Sequence, residues 1–92
     1  MKIKILSKEH TVQFEDPGLW SDNGMGRCYV PDQVIRINSG MHTETQKSTL
    51  LHEILHVIDD CCGLGLTEQQ INGLETGLYS VFKDNKNFDM EI

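Results

Sequence analysis

The sequence predicts an α+β domain, in which a small antiparallel sheet of three to four strands packs on an antiparallel two-helix hairpin. Three observations predict it. Apolar and polar residues alternate through residues 2–15 and again through 27–38, the period-two signature of strands. From about residue 44 onward the apolar residues recur at helical spacing. The two helical stretches are joined by a link of about five residues, too short to span a helix, so they must run antiparallel.

The elements follow in order. Ile3, Ile5 and Ser7 alternate with Lys2, Lys4 and Leu6, and after Lys8-Glu9 the run His10 to Glu15 alternates again, which predicts a hairpin that ends at Asp16-Pro17-Gly18. Residues 18–26 are rich in glycine and turn formers around Leu19-Trp20 and read as a loop anchored by one indole. Arg27 to Val30 and Val34 to Asn38 form a second strand pair across Pro31-Asp32-Gln33. Thr43 with Gln46 has the capping-box pattern, and Leu50, Leu51, Ile54, Leu55, Val57 and Ile58 continue a helix over about 44–61 that Gly63 and Gly65 stop. Thr67 with Gln70 repeats the capping pattern and opens a helix with the stripe Ile71, Leu74, Leu78, Val81 and Phe82, ending near Asp84-Asn85. The chain is read as one domain over 1–92: sheet and loop over 1–38, a first helix over 43–61 and a second over 67–84.

A 92-residue chain buries only about 60% of its unfolded surface, so a metal, a partner or close helix packing would help to hold it. The net charge of −6, from 8 Lys+Arg and 14 Asp+Glu, argues against nucleic acid or an anionic membrane as partner, since both require clustered cations. No segment has the apolar run of a signal peptide or a membrane span, and the expected location is the cytoplasm. Cys28 stands alone and Cys61-Cys62 are adjacent, which fits free thiols and offers no C-x-x-C zinc pair.

The chemistry lies in His52-Glu53-Ile54-Leu55-His56, an H-E-x-x-H sequence. Histidines at i and i+4 share a helix face, so both imidazoles can bind one Zn²⁺ while Glu53 reaches a metal-activated water as general base. Leu50, Leu51, Ile54, Leu55, Val57, Ile58 and Cys61 cover one broad side of the helix at about 100° per residue, with His52, His56 and Asp59 on its flank. A catalytic tetrahedral site needs a third protein ligand and an open position. His10, His42 and the acidic residues of the second helix are the candidates. Glu68 and Glu75, seven residues apart, share one edge of that helix. Antiparallel register about Leu64 favours Glu75, whereas Glu68 requires the loop to curl inward. Tyr79, on the same edge, is a candidate catalytic donor to an oxyanion. Asp59 and Asp60 are candidates to orient a ligand imidazole.

His52-Glu53-Ile54-Leu55-His56 followed by Glu68-Gln69-Gln70-Ile71-Asn72 resembles the ImmA/IrrE-like metallopeptidases, gluzincins whose HExxH helix precedes a helix reading E-x-x-A-N. The chain is also similar to small phage and prophage proteins of that type, with Leu78 to Asn85 matching a closing L-Y-x-V-x-x-D-N; the likeness covers most of 26–85. The resemblance implies a minimal zincin-like fold, Zn²⁺ as cofactor, a peptide or protein substrate, the host cytoplasm as location if phage-encoded, and Glu68 as third ligand. Ile71 stands where alanine is usual and Glu75 where a small apolar residue is common, so Glu75 stays open as the alternative ligand. It further implies that an edge strand, Cys28 to Val30 or Val34 to Asn38, receives substrate backbone. The expectation is a zinc metallopeptidase with Glu53 as general base; the alternative is a zinc-stabilised, non-catalytic binding module. Oligomeric state is open, since so small a sheet leaves strand edges free.

Overall fold

A computed structural model describes residues 1–16 and 24–88. The elements are β1 (Lys2–Ile5), β2 (Lys8–Glu15), β3 (Gly26–Tyr29), β4 (Val34–Asn38), α1 (Thr43–Cys62) and α2 (Glu68–Asp84). The α+β class and the helix hairpin are as expected from the sequence. The expected anchor Trp20 and the Pro17-Gly18 turn lie outside the described residues.

The sheet corrects one expectation: it has four strands in the order β1-β2-β4-β3 and is mixed, not antiparallel. β1 pairs antiparallel with β2 and β3 antiparallel with β4, but β2 and β4 run parallel, with Val12 opposite Ile35 and Phe14 opposite Ile37. The reason lies in composition. β4 carries Val34, Ile35 and Ile37 and gains most by burial between two neighbours, so it takes the inner place and leaves β3, with Gly26 and Arg27, at the edge. β3 turns back into β4 through residues 30–33, and β4 runs in the direction of β2.

The core forms between the sheet and α1. Ile35 and Ile37 are fully buried, and Ile5, Val12 and Val57 complete the cluster, with Leu50, Ile54 and Ile58 of α1 packed against it. Leu55 is buried as well. These α1 positions recur at three and four residues, so one helix face covers the sheet. α2 packs principally on α1, and Ile71 is its one fully buried residue. Leu74, Val81 and Phe82, expected within an apolar stripe, are exposed.

Helix ends explain how the hairpin closes. Gly63 takes the left-handed conformation at φ 62°, which costs glycine nothing, and its N–H donates to the Asp59 carbonyl. The Asp59 carbonyl also accepts from Leu64 N–H at 3.1 Å, and its carboxylate accepts from Leu66 N–H at 3.0 Å. Asp59 therefore ties down the loop and is not spent on an imidazole. α2 then starts on a complete capping box, in which Thr67 Oγ1 accepts from Gln70 N–H at 3.1 Å and Gln70 Oε1 from Thr67 N–H at 2.9 Å.

Candidate metal centre

Ser48, His52 and His56 lie at i, i+4 and i+8 on α1, one line along the face towards α2. Their register brings Glu68 of α2 opposite both histidines. His52 Nε2 is 2.8 Å from Glu68 Oε1, His56 Nε2 is 3.2 Å from Glu68 Oε2, and the two Nε2 atoms are 3.2 Å apart. Among the described residues, His52, His56 and Glu68 are the group whose ligand atoms lie within 4.8 Å of one another in a way that could hold a metal ion. The inward curl of the loop on Asp59 is what delivers Glu68, which register counting about Leu64 disfavoured.

These donors fit zinc by a simple test. Tetrahedral ligands at about 2.1 Å from a zinc ion stand roughly 3.4 Å apart. The separations of 2.8 to 3.2 Å found here need to widen by only a few tenths of an ångström. Two imidazoles and one carboxylate are also the donor set of known catalytic zinc sites. Glu75, the alternative ligand, stands elsewhere: its Oε1 is 2.7 Å from the other nitrogen of His52, Nδ1, and its Oε2 accepts from the Ser48 hydroxyl.

Glu53 lies on the β3 side of the histidines, lines the same cleft as His52 and Glu68, and is 5% exposed. Burial holds its carboxyl above the usual carboxylate range; His52 and His56 pull it down, and Glu68 and Glu75 add to the rise. β3 approaches closely enough that a Cβ on Gly26 would stand 2.6 Å from Thr49 Cγ2 and 3.1 Å from Glu53 Cγ. Sequence reasoning passed over Gly26, whose only signal was a glycine opening a strand pattern. A cleft of about 320 Å³ runs between these elements, lined by Met25 and Gly26 on one side and by His52, Glu53, Glu68 and Asn72 on the other.

The remaining candidates fall outside the cluster. Tyr79 is not brought to it: its hydroxyl donates to the Glu44 carboxylate, beside Lys83 in a separate cleft. An antiparallel hairpin dictates this, because the end of α2 meets the start of α1 while the histidines sit further along. His10 is buried in β2 with Nδ1 2.9 Å from the Lys8 carbonyl, and His42 is the exposed N-cap of α1. Cys28 faces Glu53 and Asp60, and burial first, then those two carboxylates, push its thiol up to about 11. Asp60 is exposed at the end of α1. No helix among the described residues is long and apolar enough to cross a membrane. Comparison with known protein families, with curated proteins and with solved structures finds no match to this chain.

Proposed function

We propose that this chain is a minimal zinc-dependent peptidase of the HExxH type, with His52, His56 and Glu68 holding the ion and Glu53 serving as general base. The observation that carries the reading is the convergence of the two Nε2 atoms and the Glu68 carboxylate at a cleft that also contains the buried Glu53. The resemblance of residues 52–56 and 68–72 to ImmA/IrrE-like peptidases accords with it. When bound, zinc supplies a water of pKa near ~7 and a Lewis acid for the substrate carbonyl.

The residues of the chain have distinct tasks. Glu53 accepts the proton of the attacking water and returns it to the leaving amine, and its burial makes the carboxylate a stronger base. Among the described residues β3 is an edge strand beside the cleft, so a substrate backbone can add to it as a further strand. β4, the other strand considered for this task, is an inner strand and has no free edge. Tyr79 has no task in this mechanism.

The test is Glu53→Gln. This variant is expected to retain about one equivalent of zinc per chain while its cleavage of an unfolded protein such as casein falls by a factor on the order of 10² or more. Cleavage equal to that of the unaltered chain refutes the general-base assignment. A second reading, a zinc-stabilised binding module without turnover, is favoured by the sparse anchoring of α2, since a metal bridging the helices would then serve folding. Zinc binding without cleavage by the unaltered chain across a library of unstructured peptides selects that reading.

A further inference from the structure

We propose that Glu75, braced by Ser48, is a positioning residue that fixes the tautomer of His52, holding the proton on Nδ1 and leaving Nε2 bare for the metal. The proposal rests on the zinc reading above and deepens it by assigning the second glutamate of α2.

His52 has a carboxylate at each end of its ring. Nε2 is 2.8 Å from Glu68 Oε1 and Nδ1 is 2.7 Å from Glu75 Oε1. An ionised carboxylate only accepts and a neutral imidazole carries one proton, so His52 can donate to Glu75 or to Glu68 but not to both; a metal held between Nε2, His56 and Glu68 would take the Nε2 lone pair, which leaves the proton on Nδ1 for Glu75. Nε2 is the nitrogen that converges with His56 Nε2 and the Glu68 carboxylate.

Glu75 is suited to this task and poorly suited to ligation. Its second oxygen accepts from the hydroxyl of Ser48, one turn before His52 on α1, so both of its oxygens are engaged along α1. It is also well sheltered, with 21% of its side chain exposed against 62% for Glu68, which makes its hydrogen bonds stronger than surface ones. The carboxylate at Glu75 stands two helical turns from Glu68, and the seven-residue spacing places both on one edge of α2 with different partners. Carboxylates that accept from the distal N–H of a ligand histidine orient the ring and raise its basicity, and their loss typically weakens metal binding by 10- to 100-fold.

The experiment titrates zinc against a chromogenic chelator for the unaltered chain and for Glu75→Leu, Glu75→Gln, Ser48→Ala and Glu68→Gln. Long-range ¹H–¹⁵N spectra report which nitrogen of His52 bears the proton before zinc is added, and which nitrogen binds the ion afterwards. Glu75→Leu keeps the packing volume between the helices and is expected to weaken zinc roughly 10- to 100-fold, with loss of the single Nδ1–H signature. Glu75→Gln, whose amide oxygen still accepts, should lie between it and the unaltered chain. Ser48→Ala should cost a few-fold. Unchanged zinc affinity and unchanged tautomer in both Glu75→Leu and Ser48→Ala overturn the proposal. So does zinc found on His52 Nδ1 with Glu75→Leu as damaging as Glu68→Gln, which makes Glu75 a ligand. If the unaltered chain takes up no zinc, the metal reading itself fails, and this one with it.

Discussion

Gly26 shows how much a single missing methyl group can decide. The Cβ it lacks would fall 2.6 Å from Thr49 and 3.1 Å from Glu53, so glycine lets β3 lie directly against the face of α1 that carries Glu53, the residue proposed as general base. Gly26→Ala is expected to destabilise the fold by about 1–3 kcal/mol, the usual cost of overpacking, and to lower cleavage more than zinc affinity, because Glu53 moves and the ligands do not. Thermal unfolding, chelator competition and casein cleavage on one preparation measure all three; a variant as stable as the parent would show that the contact is slack. The facing of His52 and His56 was legible in the sequence because helical period alone sets it. The burial of Glu53 was not, since it depends on where an edge strand crosses the helix. Cys28 beside it makes a test by pH. With the thiol pushed up to about 11 from an ordinary 9.0, it holds about a hundredfold less thiolate near neutral pH. Iodoacetamide at pH 8 should therefore label the exposed Cys61 and Cys62 first, with Cys28 gaining roughly tenfold in rate for each pH unit up to about 11. Equal labelling of all three at pH 8 contradicts this placement. The same shift means that the neutral thiol's contribution to stability is complete below pH 9 and is lost as pH rises towards 11.

Among the elements, turns and caps separate what local sequence dictates from what tertiary structure imposes. Two Thr-x-x-Gln patterns occur, and only Thr67–Gln70 forms a capping box. At α1 the N-cap is His42 without a side-chain bond, and Gln46 donates to the carbonyls of Ser39 and Met41. The chain enters α1 directly from β4 through Asn38, whose side chain accepts from Gly40 N–H at 2.8 Å, and that tight exit moves the helix start. The first hairpin also differs from its sequence reading. Lys8 and Glu9 belong to β2, and the reversal is made by Leu6 and Ser7 at φ 51° and 67°. Two left-handed residues in a two-residue loop match the twist of the strands, but Leu-Ser is a poor sequence for it and Asn-Gly the preferred one. Left-handed conformation costs such residues roughly 1–2 kcal/mol each. Replacing Leu6-Ser7 by Asn-Gly should therefore stabilise the protein by about 1 kcal/mol or more, a rise in Tm of about 4–8 °C for a domain of this size. An unchanged or lower Tm would mean that the exposed Leu6 side chain contributes packing that offsets the strain.

At the scale of the whole molecule, the two helices are held very unequally. α1 is fastened to the sheet by Val57 with Leu50, Ile54 and Ile58, whereas α2 has Ile71 as its one fully buried residue and leaves Leu74, Val81 and Phe82 open. The sequence stripe on α2 suggested a helix seated in the core; a sheet of four short strands is covered by α1 alone, so the stripe finds little to bury against. Glu68 and Glu75 then become the principal polar ties of α2 to α1, through His52, His56 and Ser48. A metal shared between the helices would cross-link the least anchored element to the best anchored one. Zinc at about a hundred times its dissociation constant adds roughly 2.7 kcal/mol to stability, which for a domain of this size corresponds to about 10–20 °C in Tm. The gain should be local as well as global. On addition of a strong chelator to protein given zinc, backbone amides of α2 are expected to exchange with solvent much faster, while those of β2, β4 and the centre of α1 keep most of their protection, because the core around Ile35, Ile37 and Val57 contains none of His52, His56 and Glu68. Hydrogen exchange resolved by residue distinguishes this from the alternative. Uniform loss of protection across sheet and both helices would mean that the fold opens as one unit and that α2 is not separately tethered by the ion.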